Sequence, residues 1–401
     1  MVYEWRAVIR VGFILSYTDS NWVGGINYLS NLLHAIAKVP DRKIEPVLIV
    51  SPSISAHILE AFPPWQTLRT ALVDGQHRRW SLARKLCERL WGRDFLMERF
   101  LKQHRIHMLS HSGHLGRRAK VPTIGWLADF QHCSMPECFQ PAEIAARNRG
   151  YRRISTQCTT VLLSSIDAQH DLAQFDIGAL SSSRVLHFVS GFSSHVSPMI
   201  DEDVLRSRYN IVGPYFHLPN QFWIHKNHRV VIDALTVLKA RGKSATVLCT
   251  GYTKDRRWTE YFDELMRHAR DKSVSDCFIV LGLVPYEDMA CLMMHSVGVI
   301  NPSLFEGWST TVEEAKSLGL TIILSDIAVH REQDPERGIF FNPNNAEELA
   351  DTLSKVLENY TAVREYGFQK AAKSHMPSRF LAFGVGYQNI ALDTFSRKRA
   401  V

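Results

Sequence analysis

Short apolar runs alternate along the chain with stretches whose apolar residues recur every three or four positions. In the first half the runs are AVIRVGFILSY, IEPVLIVS, HMLSHS, VPTIGWLAD, TTVLLSS and SRVLHFVS, with a helical pattern in GGINYLSNLLHAIAKV. In the second half the runs are PYFHLPN, ATVLCTG, CFIVLG, VGVINPS, TIILSD and GIFFN. Helical patterns separate these: HRVVIDALTVLKARG, WTEYFDELMRHARD, YEDMACLMMH, TVEEAKSLG and AEELADTLSKVLENY. Short buried runs alternating with helices predict parallel sheets covered by helices on both faces. The expectation is an α/β chain of two Rossmann-like domains, joined near SGFSSHVSPMIDED (191–203), with a ligand cleft between them.

Length agrees, since 401 residues is too long for one comfortable core and domains run to about 100–200 residues each. Apolar residues make up 45% and charged ones 22%, the balance of an ordered globular enzyme rather than a disordered chain. The seven cysteines have neither zinc-knuckle nor C-x-x-C spacing, which predicts reduced thiols and a cytoplasmic protein. Glu4, Arg6 and Arg10 interrupt the N-terminal apolar stretch, so it reads as an early strand and not a signal peptide. No window approaches the roughly 20 apolar residues that span a bilayer.

The net charge of +7 is concentrated. Residues 78–105 hold nine Lys/Arg against three Asp/Glu. The same segment places Ala83, Leu86, Leu90 and, past a polar turn, Met97 at helical spacing, with Trp80 and Trp91 nearby. An amphipathic basic helix can dock on an anionic membrane surface, here the inner face; a helix packed on a sheet with a solvated basic face has the same pattern. No nucleic-acid motif accompanies the charge, so nucleic acid is not an expected partner.

Generic nucleotide motifs are missing. No G-x-G-x-x-G follows a candidate strand, and Gly242-Lys243-Ser244 has Val237 where a P-loop needs its first glycine, so it reads as a helix end followed by a turn. His104, His107, His111 and His114 lack the spacing of a tetrahedral metal site, and no metal is expected. Gly24 and Gly25, between the first strand and the next helix, would let a ligand approach the backbone closely, as would any tight turn.

The segment NPSLFEGWSTTVEEA (301–315) says more. A strand ending near Pro302 leaves Glu306, Gly307 and Trp308 in a loop, and a helix opens around Ser309 to Thr311. Its unpaired N–H groups attract an anion. Thr310 with Glu313, or Thr311 with Glu314, spells a capping box, yet a cap leaves Glu306 unexplained. Carboxylates repel phosphate and accept from hydroxyls, so the order is hydroxyls, phosphate, hydroxyls: the layout of a nucleotide sugar. Lys226, flanked by His225 and His228 after the first strand of the second half, supplies a cation for the diphosphate.

With Glu306 and Glu314 eight positions apart, this segment resembles the E-x7-E motif of the retaining GT-B glycosyltransferases of the large GT4 family. HKNH around Lys226, GLVPYEDMACLM (282–293), SDIAVHRE (325–332) and FFNPNNAEELADTL (340–353) resemble that family's other landmarks in order. The likeness is specific over 215–360 and rests in the first half on the glycine pair and WLADFQH (126–132) alone. The resemblance implies a GT-B fold: an acceptor-binding domain at 1–200, a nucleotide-sugar-binding domain at 201–377, and a closing helix at 378–401 that returns to the first domain.

It also implies roles. Glu306 holds donor-sugar hydroxyls and Glu314 the ribose. Backbone N–H groups of Gly307, Trp308, Ser309 and Thr310 hold the diphosphate with Lys226. Main chain at Val284 meets the base, and Gly24 and Gly25 face the donor. Asp129 or His132 assists near the sugar and acceptor. The implied activity is retaining transfer of a hexose from a UDP- or GDP-linked sugar to a glycan or lipid-linked acceptor, in cell-envelope polysaccharide or glycolipid synthesis, with neither cofactor nor metal. This chain departs from the family in having Asn220 where members place an arginine on the diphosphate, Ala128-Asp129 for His-Asp, and Ser309-Thr310-Thr311 for Gly-Leu-Pro. A nucleotide-sugar epimerase and a non-catalytic sugar-nucleotide binder remain the alternatives.

Overall fold

A computed structural model describes residues 8–15, 23–74, 77–111, 113–192, 200–255 and 257–399. The expected joint at 191–203 falls largely on 193–199, and Glu4 and Arg6 on 1–7, all outside the described residues. Of the described residues, those within 1–130, 141–189 and 377–401 form one compact unit, and those within 131–140 and 190–376 form another.

The first unit holds strands β1 (Ile9–Leu15), β2 (Ile44–Val50), β3 (Gln66–Arg69), β4 (Met108–Ser110), β5 (Thr123–Leu127), β6 (Thr160–Leu163) and β7 (Ser183–Val185). They form one parallel sheet in the order β3-β2-β1-β4-β5-β6-β7. The second unit holds β8 (Phe216–Leu218), β9 (Val247–Thr250), β10 (Phe278–Gly282), β11 (Gly298–Asn301), β12 (Ile322–Ser325) and β13 (Gly338–Phe341), parallel in the order β10-β9-β8-β11-β12-β13. Every residue of β9, β11 and β12 is buried, which is why these strands read as unbroken apolar runs. The helix His228–Ala240 lays Val230, Val231, Ala234, Leu235 and Leu238 on this sheet, one apolar stripe at helical spacing. In both sheets the order reverses beside the first strand, and a doubly wound sheet takes its ligand outside the strand ends at such a point.

Three features depart from the sequence expectation. Residues 78–105 form two helices, Arg78–Trp91 and Phe95–Gln103, not one. Gly92 closes the first at φ 71°, and Asp94 caps the second by accepting from the Met97 N–H at 3.0 Å. Residues 131–140, expected with the first domain, group with the second unit, where the Arg257 guanidinium lies 5.1 Å from the Phe139 ring.

The third is the last helix, which runs from Ala362 to Arg399 rather than starting at 378, with Pro377 inside it where the division between units falls. Its later part is built into the first unit. Gln388 Oε1 accepts from the Lys43 N–H at 2.7 Å, the Thr160 and Thr394 hydroxyls are 2.8 Å apart, and Arg184 pairs with Asp393 at 3.0 Å. Tyr387 is fully buried with its ring 5.8 Å from that of Phe13 on β1. Gly384 has no room for a side chain: a Cβ there would stand 2.4 Å from the Ala35 carbonyl oxygen.

Candidate active site

The second sheet reverses between β8 and β11, and polar side chains from both strand ends meet there. Asn220, two residues past β8, donates from Nδ2 to Oδ1 of Asn301, the last residue of β11, at 3.1 Å. Asn301 Nδ2 donates to the Ser309 hydroxyl at 2.8 Å, and the Thr311 hydroxyl donates to Asn220 Oδ1 at 3.3 Å. Asn220 is therefore occupied in fastening two strand ends to the start of the next helix. Its own carbonyl explains Gly251, at φ +144°, where a Cβ would come within 2.5 Å of that oxygen.

The helix Thr310–Leu318 opens as expected, but neither capping box forms. Ser309 is the cap, its hydroxyl accepting from the Val312 N–H at 3.4 Å. Ser309 sits one residue earlier than the threonines, so the glutamates are released from capping. Glu313 Oε1 accepts from Gln333 Nε2 at 3.2 Å and from Lys316 at 3.3 Å. Gln333 also grips the main chain of Ser309 from both sides, accepting its N–H and donating to its carbonyl, each at 3.0 Å. The Ser309 N–H is thereby committed to Gln333, so of the four expected backbone donors Gly307, Trp308 and Thr310 carry the expectation of a diphosphate site.

Glu306 lies in the loop before this helix with its carboxylate 2.6 Å from Lys226 Nζ, the two side chains 10% and 14% exposed. The Ser303 hydroxyl stands 2.7 Å from Glu306 Oε1 and equally far from Asn301 Oδ1; with one proton, it serves one of them at a time. Burial alone would raise the Glu306 pKa, but the Lys226 charge reverses the effect and holds it below the usual carboxylate range. Glu314, eight residues on, is different. It is buried, accepts from Ser190 and Tyr286, and is pushed up to about 8 because burial outweighs those bonds. Two carboxyls thus flank one helix start with their pKa values shifted in opposite directions, Glu306 below and Glu314 above the usual carboxylate range.

The surrounding imidazoles are neutral. Burial pushes His217, His225 and His228 down to about 3 and lowers His330, so none adds charge to Lys226. His330 Nδ1 donates to the Ser325 carbonyl at 2.9 Å, leaving Nε2 to accept from Asn301 Nδ2 at 3.4 Å. Among the described residues, no three His, Cys, Asp or Glu side chains are grouped to hold a metal ion.

The other expected residues stand on other elements. Val284 follows β10 and leads into the helix Tyr286–Met294, whose first residue reaches Glu314. His132 is buried in the short helix Gln131–Ser134 of the second unit, its ring 6.4 Å from Phe139. Asp129 belongs to the first unit, where its carbonyl accepts from the Tyr151 hydroxyl at 3.0 Å. Gly24 and Gly25 are in the first turn of the helix Val23–Ala37 rather than in a loop before it, and a Cβ on Gly24 would meet nothing within 4 Å. The sequence reading missed Asn301, Ser303, Gln333, Tyr286 and Ser190. Tyr286 stands inside the quoted segment 282–293 and Gln333 directly after 325–332, but their partners are set by packing and not by spacing.

Comparison with known proteins bears on the fold and on one segment of the sequence. The whole chain has the fold of a Rickettsia africae glycosyltransferase (12% identity, 98% of each chain covered, TM-score 0.66). The same holds for Anabaena Alr3699/HepE, solved with UDP and glucose (17% identity, 97% of this chain and 100% of that one, TM-score 0.65). It holds too for WaaG, a glycosyltransferase of lipopolysaccharide biosynthesis (15% identity, 95% and 99%, TM-score 0.59). No curated protein sequence matches the chain. Residues 217–359, which contain Asn220, Lys226, Glu306 and Glu314, match the model of the family described as Glycosyl transferases group 1.

Proposed function

We propose that this chain is a retaining glycosyltransferase that moves a hexose from a UDP- or GDP-linked sugar to a hydroxyl of a glycan or lipid-linked acceptor, in polysaccharide or glycolipid synthesis. The observation that carries the proposal is the pairing of Glu306 and Glu314 around one helix start, with neither used as a cap, inside the segment that matches the group 1 family.

Each side chain then has a task. Lys226 exchanges Glu306 for the donor diphosphate, and Glu306 turns to the sugar hydroxyls. The helix start, with the N–H groups of Gly307, Trp308 and Thr310, faces the phosphates. Glu314, with Tyr286 and Ser190, receives the ribose. As the bond from the anomeric carbon to the diphosphate oxygen breaks, Lys226 stabilises the charge on that oxygen. The acceptor oxygen bonds to the anomeric carbon on the same face, and its proton passes to the departing diphosphate. Asp129 and His132 are the candidates for polar assistance to that proton transfer. The scheme takes its positive charge from Lys226 and the helix, so a chelator should leave turnover unchanged.

Sugar-nucleotide binding without transfer is the second reading. It is favoured by Asn220, whose amide is held by Asn301 and Thr311 and adds no charge to the diphosphate site. The test is the melting temperature with UDP, GDP, ADP and dTDP sugars, for the native chain and Glu314→Ala, followed by assay of free nucleotide. A rise with one nucleotide, lost in the variant, supports the site, because a ligand bound only to the folded state stabilises it. Nucleotide release on adding acceptor then separates transfer from binding, and no rise with any donor would falsify the proposal.

A further inference from the structure

In the first unit, the helix Arg78–Trp91 packs in an unusual sense. None of its described residues is buried, and none belongs to a core cluster. The side chains turned inward are polar. Arg84 donates to Asp94 at 2.6 Å and to the Leu72 carbonyl at 2.8 Å, and Glu88 pairs with His114 at 3.4 Å. The leucines go the other way: Leu82, Leu86 and Leu90 are 65%, 55% and 61% exposed. Spaced by four, they form one row on one helix face. Arg79, Lys85 and Arg89 are exposed on the same face, and the helix's one acid, Glu88, is turned away from it. Trp80 and Trp91, 43% and 50% exposed, stand near the two ends.

A second basic feature adjoins this helix. Arg117, Arg152, Arg153, Thr156, Gln157 and Asp176 line a groove of 440 Å³. The Arg118 N–H donates to the carbonyl of Gly92, the residue that ends the helix, at 2.8 Å, which ties the segment carrying Arg117 to that end of the helix. Arg153 acts electrostatically on His114, the partner of Glu88.

We propose that the outward face of the Arg78–Trp91 helix, together with the Arg117, Arg152 and Arg153 groove, docks on a bilayer containing anionic phospholipid. Leu82, Leu86 and Leu90 enter the acyl boundary, the tryptophans settle at headgroup level, and the cations meet lipid phosphates. Charge selects this occupant. Residues 78–105 carry nine Lys/Arg against three Asp/Glu, so a second copy of the same face would be repelled while an anionic surface is attracted. Interleaved leucines and cations also suit a headgroup boundary, where one side chain row meets hydrocarbon and the other phosphate. The inference stands on the first unit alone and does not depend on the transferase activity.

The test is co-sedimentation of the full chain with phosphatidylcholine vesicles, with and without phosphatidylglycerol. Binding is expected to the anionic vesicles only and to fall as salt rises. Leu82→Glu and Leu86→Glu, made on exposed helical positions, should each weaken partition by about tenfold or more, the loss expected for one buried leucine. Arg152→Ala with Arg153→Ala should weaken it and flatten its salt dependence. An unchanged melting temperature shows that each variant still folds. Equal binding to neutral vesicles, or partition indifferent to the leucine variants, overturns the proposal. So does stabilisation by inorganic phosphate through the arginines without vesicle binding, which would mark a free-anion site. Self-association abolished by the leucine variants would assign the row to a second copy and equally overturn it.

Discussion

Lys226 Nζ and Glu306 Oε1 stand 2.6 Å apart, so the cation and the carboxylate assigned to the donor are each other's counter-ion before a donor arrives. The pair keeps both charges ready in a region whose histidines are all neutral. A donor must replace that contact on both sides, with phosphate for Lys226 and hydroxyls for Glu306.

Removing one partner should therefore cost stability as well as activity. Lys226→Met leaves Glu306 charged and poorly hydrated, a loss of about 3 kcal/mol for a largely buried pair. Glu306→Gln in the same chain should restore much of that stability without restoring turnover, which should fall by roughly 10²–10³ for lack of the phosphate cation. Thermal melts on the two single variants and the double variant measure the coupling. Additive losses would mean that the pair is not formed in solution.

Glu314 predicts a pH dependence of opposite sense to an ordinary carboxylate. Its folded value of about 8 lies above the ordinary glutamate value of 4.5, so over that range the folded chain holds a proton that the unfolded chain releases. Its contribution is full below 4.5 and is lost as pH rises through 8, with a slope approaching about 1.4 kcal/mol per pH unit within that window. Glu314→Gln keeps a neutral side chain and should flatten this component of the melting curve between those limits. If the ionised form receives the ribose, nucleotide affinity of the native chain should also climb towards pH 8, and the Gln variant should show no such climb.

Gln333 was not itself an expected site residue, yet it fixes the Ser309 main chain on both sides. Gln333→Ala should cost about 1–3 kcal/mol by leaving the buried Ser309 N–H without its acceptor. It should also weaken donor binding, since the helix start loses its orientation. Isothermal titration with the nucleotide identified above would show it; unchanged affinity in a destabilised chain would confine Gln333 to a structural part.

Legibility in the sequence followed burial. Strands β8, β9, β11 and β12 were readable because each is short, mostly apolar and buried throughout, and β10 and β13, though only partly buried, because their residues are apolar. Strand β3, QTLR, was not, since three of its four residues are exposed and none is apolar except Leu68. In the basic segment the pattern left the direction of the apolar row open, and what decides it is not local: Asp94 and the Leu72 carbonyl draw Arg84 inward, Leu86 and Leu90 face out, and Met97 is buried. At the site, Lys226, Glu306 and Glu314 were legible from spacing and resemblance. Their bracing by Gln333, Asn301 and Tyr286 depends on which loops the sheet order brings together, which no local pattern carries.

Two glycines of the last helix should respond oppositely to alanine. Gly384→Ala drives a Cβ to 2.4 Å from the Ala35 carbonyl oxygen, overpacking worth about 1–3 kcal/mol. Gly367 has nothing within 4 Å of its would-be Cβ, so Gly367→Ala should be neutral or stabilise by about 0.5–1 kcal/mol through helix propensity. Chemical denaturation of the two variants side by side compares them directly.

The building of residues 377–399 into the first unit also sets an order of events during synthesis. Domains generally fold as they emerge, the earlier one first. Here β1 leaves the ribosome before the second unit, yet its neighbour Tyr387 follows only after the entire second unit has been made. The first unit is therefore completed after the second. Until then it must wait with the place of that helix unfilled, while the second unit has all of its residues in hand.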